Sequence, residues 1–378
     1  MAIDLLMDHF ADLPDPREAS GRRHVLTDLL AIALSAAICG AEGWTHVAEF
    51  GRSKRDWFKT FLSLPHGIPS HDTFGRVFAL LDPAAMEQCF MRWTQALSEQ
   101  SGNVLINLDG KSLRKSFAHA WDPSGMVHLV SAFVGVNRLV LGQVATDPGG
   151  DEPRGNEITA IDKLLDLLDI SGATVSIDAI GCQRDIARKI VDKGGHYVLC
   201  VKDNQPTLHE TVKRLLDEAI ADGQMPLGRF EQTDGDHGRI EIRRVWCTSE
   251  VEHLKLPEPW PYLRSIACVE RVRDLGGNQV STERHYYIAS LLDPGAQAFA
   301  EAIRGHWSIE NQLHWHLDVS FGEDDCRVRS GHAAENLSRI RRIALNQLQR
   351  ETTLKGGIKT KRLKAGWDHS YLLKVLSA

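Results

Sequence analysis

The sequence predicts an α/β protein with an all-helical front, and three observations carry that prediction. Apolar residues recur at helical spacing through the first hundred positions; near Gly102 they change to short apolar or alternating runs; from there the elements follow in the order three strands, helix, strand, helix, strand. The chain of 378 residues is long enough for about two domains, at roughly 100–200 residues each. Its 43% hydrophobic and 25% charged content excludes a mainly disordered protein.

The helical front, residues 1–100, starts with the apolar run "LTDLLAIALSAAICGA", Leu26 to Ala41. It carries Asp28 and falls short of the roughly 20 residues needed to cross a bilayer, so it reads as a buried helix. "GWTHVAEFGRSKRDWFKTFL", "SHDTFGRVFALLD" and "AAMEQCFMRWTQALSEQ" follow at helical spacing. In the second of these Ser70 is placed to cap and Asp72 stands in the first turn. A short helix after a Gly/Pro turn has two readings, a helix-turn-helix reader of DNA or plain helical packing. The start "MAIDLLMDHF" lacks the basic segment and small-residue cleavage site of a secretory signal. Seven scattered cysteines without a CxxC pair suit a reducing compartment, so an intracellular protein is expected.

The strands come next. "NVLINLDG" is an apolar run that places Asp109 at the C-terminal end of the first strand, and "MVHLVSAFVG" and "RLVLGQVAT" supply the second and third. "NEITAIDKLLDLLDI" returns to helical spacing; "ATVSIDAIG" is a fourth strand with Asp178 at its C-terminal end; the helix "CQRDIARKIVDKG" and the strand "HYVLCVKDN" complete the series. Hairpin strands first and crossovers after is the layout of a ribonuclease-H-like α/β sheet. If the first and fourth strands are neighbours, Asp109 and Asp178 meet at one edge. From about 228 to 292 the chain is β-rich again, an insertion expected to interrupt the sheet. "GAQAFAEAIRGHWSIENQLHWHLDVSF" then resumes helical spacing and puts Glu310 on a helix that packs back on the core.

Two strand-end aspartates and a helical glutamate are a hard-oxygen set suited to Mg²⁺ or Mn²⁺ rather than zinc. Two such ions, about 4 Å apart, hold a phosphodiester between them in metal-dependent phosphoryl transfer. His314 and His316 invite a zinc reading, but on a helix positions i and i+2 point about 200° apart and cannot grip one ion. The net charge of −6 averages over local patches. From Arg339 to Lys364 nine Lys or Arg stand against one Glu, and Arg52, Lys54, Arg55 and Lys59 form a second basic cluster. Either is a solvated helix face or a surface for DNA.

Several long motifs, in order, resemble the DDE transposases of bacterial insertion sequences, H-repeat-associated (ISAs1) type. They are "DHFADLPDPRE" with "RRHVLTDLLAIALSAAICGAEGW", "LDGKSLRKS", "SIDAIGCQRDIARKIVDKGGHYVLCVKDNQP", "HGRIEIRR" and "HWSIENQLHWHLDVSFGEDDCRVR", which together span nearly the whole chain. The resemblance implies a helical DNA-binding region over 1–100 and a ribonuclease-H-like catalytic domain over 101–378 with a basic C-terminal tail. It implies Asp109, Asp178 and Glu310 as catalytic, metal-binding triad, two Mg²⁺ or Mn²⁺ ions, and DNA hydrolysis followed by strand transfer. A bacterial cytoplasmic protein is implied, on the nucleoid when bound to DNA, with a homodimer on the DNA and neither a membrane nor a nucleotide cofactor. The alternatives are an inactive DNA-binding relative and a plain metal-dependent nuclease.

Related insertion-sequence transposases place a Tyr, an Arg and a Lys at −7, −4 and +7 from the glutamate, where this chain has Ile303, His306 and Leu317. The resemblance therefore makes His306 the stand-in for the arginine at a phosphate, with Arg304 as competitor, and Lys202 or Arg327 and Arg329 the stand-ins for the lysine. Lys111, Arg239, Arg243, Lys359, Lys361 and Arg362 complete the expected DNA contacts.

Overall fold

The computed structural model describes residues 4–98, 105–116, 126–146, 153–236, 239–274 and 280–378. The chain divides into two compact units, one of Met1–Ser101, Gly110–Ala160 and Glu310–Ala378, the other of Gly102–Asp109 and Ile161–Ile309. The helical front belongs to the first of these units. It shares that unit with a β-hairpin and the C-terminal helices.

Hydrogen bonding orders the strands β3-β2-β1-β4-β5-β9-β8-β7-β6. They are β1 (Leu105–Ser112), β2 (His128–Val134), β3 (Leu139–Ala145), β4 (Thr174–Ile177), β5 (His196–Val201), β6 (Gly228–Asp236), β7 (Arg239–Thr248), β8 (Ser265–Asp274) and β9 (Val280–Ala289). The expected order of strands and helices holds, with α7 (Pro153–Leu167) before β4 and α8 (Arg184–Asp192) before β5. The β-rich segment does not interrupt the sheet. β9 pairs antiparallel with β5, Val198 opposite Ala289, so β6 to β9 prolong the same sheet.

In the first unit α2 (Leu26–Ile38) is buried on every side, as its unbroken apolar run requires. Its one charge, Asp28, accepts a 2.9 Å hydrogen bond from the Leu64 amide. α3 (Trp44–Ser53), α4 (Arg55–Phe58), α5 (His71–Leu80) and α6 (Pro83–Ser98) follow. Ser70 caps α5 by accepting from the Thr73 amide at 3.3 Å. α5 turns Phe74, Val77 and Phe78 inward, and its exposed face carries His71, Asp72 and Arg76, an ordinary mixed surface rather than a basic one.

The other buried helix, α11 (Ala333–Arg350), carries Arg339, Arg341 and Arg342 into the core. Arg339 reaches Glu87 of α6 at 2.5 Å and Glu335 at 2.6 Å. Arg342 lies 3.3 Å from Glu323. Asn346 donates to the Val140 carbonyl and accepts from its amide, both at 2.9 Å, and so pairs part of the edge strand β3 as another strand would.

The basic tail is largely structural. Lys361 of α12 (Ile358–Trp367) donates to the carbonyls of Leu348 and Glu351 at the end of α11. Arg362 donates to Ala37 and Ile38 at the end of α2, with its guanidinium 4.1 Å from the Phe321 ring. Both are buried, at 7% exposure, and answer carbonyls that a helix C-terminus leaves unpaired. Their head groups are engaged with those carbonyls, whereas Lys359, the third of the expected phosphate contacts here, is exposed. Accordingly, Lys361→Gln or Arg362→Gln is expected to cost about 1–3 kcal/mol of stability, because buried carbonyls lose their donors. Denaturant unfolding measures this. Lys359→Gln is expected to leave the unfolding curve unchanged.

The second unit holds the mixed sheet from the first half of β1 through β6, with α8, α9 (Pro206–Asp222) and α10 (Gly295–Ser308). α9 is a helix the strand count passed over, although Pro206 at its first turn and Gly223 at φ 67° just past its end are ordinary start and stop signals. α10 lays Ala296, Phe299, Ala302 and Ile303 against Val198, Val245 and Ala267 of the sheet.

Arginines of β7 to β9 pair across the strands. Arg243 bonds Asp234 at 2.6 Å and also Glu241; Arg244 and Arg284 share Glu270 at 3.0 and 2.8 Å. No membrane-crossing helix occurs among the described residues. None of the seven cysteines is in a disulfide.

Candidate active site

β1 and β4 run parallel, with Leu105 opposite Thr174, Asn107 opposite Ser176 and Leu108 opposite Ile177. The next residue after each paired stretch is an aspartate, Asp109 within β1 and Asp178 just past the end of β4. Adjacent strands lie about 4.8 Å apart, so the two carboxylate-bearing positions stand side by side at the carboxyl end of the parallel pair. That is where open α/β sheets bind their ligands. The expectation for Asp109 needs one correction: β1 does not end there but continues to Ser112, and only its pairing with β4 stops. Both aspartates are half-buried.

The loop after β4 is fixed from several sides. Asp178 Oδ1 accepts from the Ile180 amide at 3.1 Å. Asn204 donates to the Ala179 carbonyl at 2.5 Å, and Gln205 to that of Cys182 at 3.0 Å. A Cβ on Gly181 would stand 2.2 Å from Ile177 Cγ2, so only glycine lets the loop fold back on the strand it leaves.

α10 rests on these two strands. A Cβ on Gly305 would come within 2.2 Å of Leu105 Cδ2. One residue on, His306 Nδ1 lies 3.0 Å from Ser176 Oγ, and Ser176 Oγ donates to Asn107 Oδ1 at 2.7 Å. Because the hydroxyl proton is given to Asn107, the ring nitrogen is the donor to Ser176. Burial lowers the His306 pKa to about 4, against a hydrogen bond to the Ser176 main chain that pulls it upward. His306 is therefore held in its neutral form here and is half-buried, where the resemblance implied a cationic group at a phosphate.

A pH effect follows. With its folded pKa below the ordinary 6.5, His306 favours folding fully above about pH 6.5 and progressively less as pH falls toward about 4. Thermal unfolding of the wild type is expected to fall over that window more steeply than that of His306→Asn.

Glu310 follows His306 by four residues. The chain continues from α10 into π-helical turns at Ile309–His314 and His316–Ser320, and Glu310 is exposed in the first of them. His316 Nδ1 is 3.3 Å from Ser320 Oγ, and burial lowers its pKa. Among the described residues, one trio of possible metal ligands has all its ligand atoms within 4.8 Å of one another, Glu250, Glu252 and His253, in a surface turn after β7. It includes neither His314 nor His316.

The remaining expected DNA contacts divide. Lys111 is buried and bridges Asp318 at 2.6 Å and Asp324 at 3.1 Å, while Arg114 reaches Asp324 at 3.1 Å and Lys115 pairs with Asp325. Lys111 is thus committed to carboxylates. Burial pushes the Asp318 carboxyl up, although Lys111 pulls it back. Arg243 is held by Asp234 and Glu241, and Arg304, exposed, lies 3.2 Å from the same Asp234. Arg329 donates to the Lys115 carbonyl at 2.8 Å. Lys202 and Arg327 are exposed. The Arg239 side chain lies outside the described residues, as does His237.

Asn107, Ser176, Asn204 and Gln205 were not singled out from the sequence. A signal existed for the first two, since each is a polar residue inside an apolar run, two positions before an aspartate and on the same strand face.

The fold is a mixed α/β sheet in which an aspartate follows the paired stretch of each of two adjacent parallel strands. The chain belongs to the DDE transposases: residues 102–347 match the family described as Transposase DDE domain, and residues 7–94 the one described as DDE_Tnp_1-associated. The Escherichia coli K12 protein named "H repeat-associated putative transposase YhhI" is 37% identical over 392 aligned residues, which cover 100% of this chain and 99% of that one. A Xanthobacter autotrophicus protein named "Uncharacterized protein in dhlA 3'region" is 46% identical over 289 residues, 75% of this chain and 94% of that one. A solved piggyBac transposase synaptic complex with hairpin DNA aligns at a TM-score of 0.42 and 11% identity, over 100% of this chain and 81% of that one.

Proposed function

We propose that this chain is an active DNA transposase that hydrolyses a phosphodiester at each end of its element and joins the freed 3′-OH to target DNA. The observation that supports the reading is the position of Asp109 and Asp178, each the residue just past the paired stretch of β1 and β4, in a chain of the DDE family. Strands β1 to β5, in the order β3-β2-β1-β4-β5, are on this reading a ribonuclease-H-like core.

Asp109, Asp178 and Glu310 are the residues that would hold two Mg²⁺ or Mn²⁺ ions, and the oxygen-only donor set suits those cations. When bound, such ions supply Lewis acidity and lower the pKa of water. The chain's own part is to hold the carboxylates. The β1–β4 ladder sets Asp109 beside Asp178, the Ile180 amide and the Asn204 and Gln205 side chains fix the turn beyond Asp178, and α10 carries the segment that leads to Glu310.

In the first reaction water adds to phosphorus as the bond to the 3′ oxygen breaks. In the second, that 3′-OH attacks a target phosphodiester in line. One P–O bond forms as one breaks, so no nucleotide cofactor is consumed. Exposed cations, Lys202, Arg327 and Lys359 first, are the DNA contacts this reading retains, and two copies would hold the two element ends together.

The test is incubation of the purified chain with DNA carrying the inverted repeats that flank its gene, a labelled target and Mg²⁺. Nicking at the repeat end followed by a joined product is the expected result. Cleavage without joining would make the chain a nuclease, and binding without cleavage would make it an inactive relative.

A further inference from the structure

We propose that His306 is a positioning residue that, through Ser176 and Asn107, holds together the two strands bearing Asp109 and Asp178. Asn107 and Ser176 face each other in the β1–β4 register, and each stands two residues before one of the aspartates, on the same strand face. The Ser176 hydroxyl joins them at 2.7 Å, and the His306 ring closes the chain at 3.0 Å. One half-buried group on α10 is thereby tied to both strands two residues before the aspartates. Gly305, which a Cβ would drive into Leu105, brings the helix close enough for that bond.

A neutral imidazole that donates from Nδ1 serves this purpose better than the arginine of related transposases, since it needs no counter-charge in an enclosed place. His306 acts on the site through Ser176 and Asn107, by keeping the strand that leads to Asp109 beside the one that leads to Asp178.

This inference rests on the metal-dependent reading above, and one experiment separates the two. Mn²⁺ binding to the full-length protein, without DNA, is followed by calorimetry or electron paramagnetic resonance for the wild type, Glu310→Gln, His306→Asn, His306→Gln, Ser176→Ala and the His306→Gln/Ser176→Ala double variant. Asn keeps an amide donor at the place of Nδ1, whereas Gln puts it at the place of Nε2 and cannot reach Ser176 in the same way.

His306→Gln and Ser176→Ala are each expected to weaken Mn²⁺ by about 10- to 100-fold, the usual cost of removing a partner behind a metal ligand. The double variant should be no worse than either single one, and His306→Asn should bind nearly as the wild type does. All should share the wild-type circular dichroism spectrum. Wild-type affinity in His306→Gln beside lost affinity in Glu310→Gln would overturn the role of His306 and leave the metal reading standing. Equal loss in the Asn and Gln variants would reduce His306 to packing and overturn it as well. No Mn²⁺ response in the wild type, or none lost in Glu310→Gln, would overturn both.

Discussion

Asp109→Asn, Asp178→Asn and Glu310→Gln are each expected to abolish nicking of element-end DNA while leaving the fold and DNA binding nearly intact. Each change removes one negative charge and keeps the size of the side chain. The charge is what concentrates divalent cations, and Lewis-acid stabilisation of a phosphoryl transition state is worth several kcal/mol. At 1.36 kcal/mol per decade, that is a fall of about 10³-fold or more in the single-turnover rate. Thermal unfolding should hardly move, because both aspartates are half-buried at a strand edge and Glu310 is exposed. A gel assay with labelled repeat-end DNA reads the rate, and a filter or mobility assay reads the binding. Wild-type nicking by any one of the three variants would remove that residue from the site.

Arg339→Leu is expected to destabilise the protein by about 3–5 kcal/mol, because it strands a buried charge. Arg339 holds Glu87 at 2.5 Å and Glu335 at 2.6 Å, and Glu87 Oε1 also accepts from the Gln143 amide at 2.7 Å. Arg339 is 2% exposed and Glu87 is 3% exposed, so water cannot replace the lost guanidinium. Burial pushes the Glu87 carboxyl up while Arg339 pulls it down, which is the balance the substitution upsets. The Arg339→Leu/Glu87→Leu double variant should recover part of the loss, since it removes both charges. Denaturant titration of the three proteins gives the comparison. An Arg339→Leu curve that matches the wild type would show that the pair contributes nothing to stability.

The parts of this protein that its sequence discloses are those where pattern and partner coincide. The strand and helix series from β1 to β5 is legible because apolar runs change period at each boundary. Asp109 and Asp178 stand out because a carboxylate interrupts the run at the same place twice. The continuation of β1 through Gly110, Lys111 and Ser112 is not legible, since those residues carry no apolar alternation and are strand only by their backbone. Alternation in β6 to β9 identifies strands but not their neighbour, so their joining of the main sheet at β5 could not be read from it. Nor could the π-helical turns beyond α10, which helical spacing does not distinguish from α-helix.

Basic residues were the least legible. In the sequence, Lys361 and Arg362 look the same as the exposed Lys359. They differ only because α12 turns the first two toward the ends of α11 and α2. The setting of His306 has the same origin: a histidine one turn before a glutamate suggests a phosphate contact, and only the fold brings its ring against Ser176. Asn107 and Ser176 are the counterpart, polar groups whose use becomes apparent only once β1 and β4 are set side by side.

The central claim is that Asp109, Asp178 and Glu310 hold the divalent ions on which DNA cleavage depends. Its most direct test is a crystal of the full chain soaked in Mn²⁺ and recorded at the manganese edge. The account predicts anomalous peaks within coordination distance of the Asp109, Asp178 and Glu310 carboxylates, lost in Asp178→Asn. Peaks confined to the exposed Glu250, Glu252 and His253 turn, with none at the two aspartates, would contradict it.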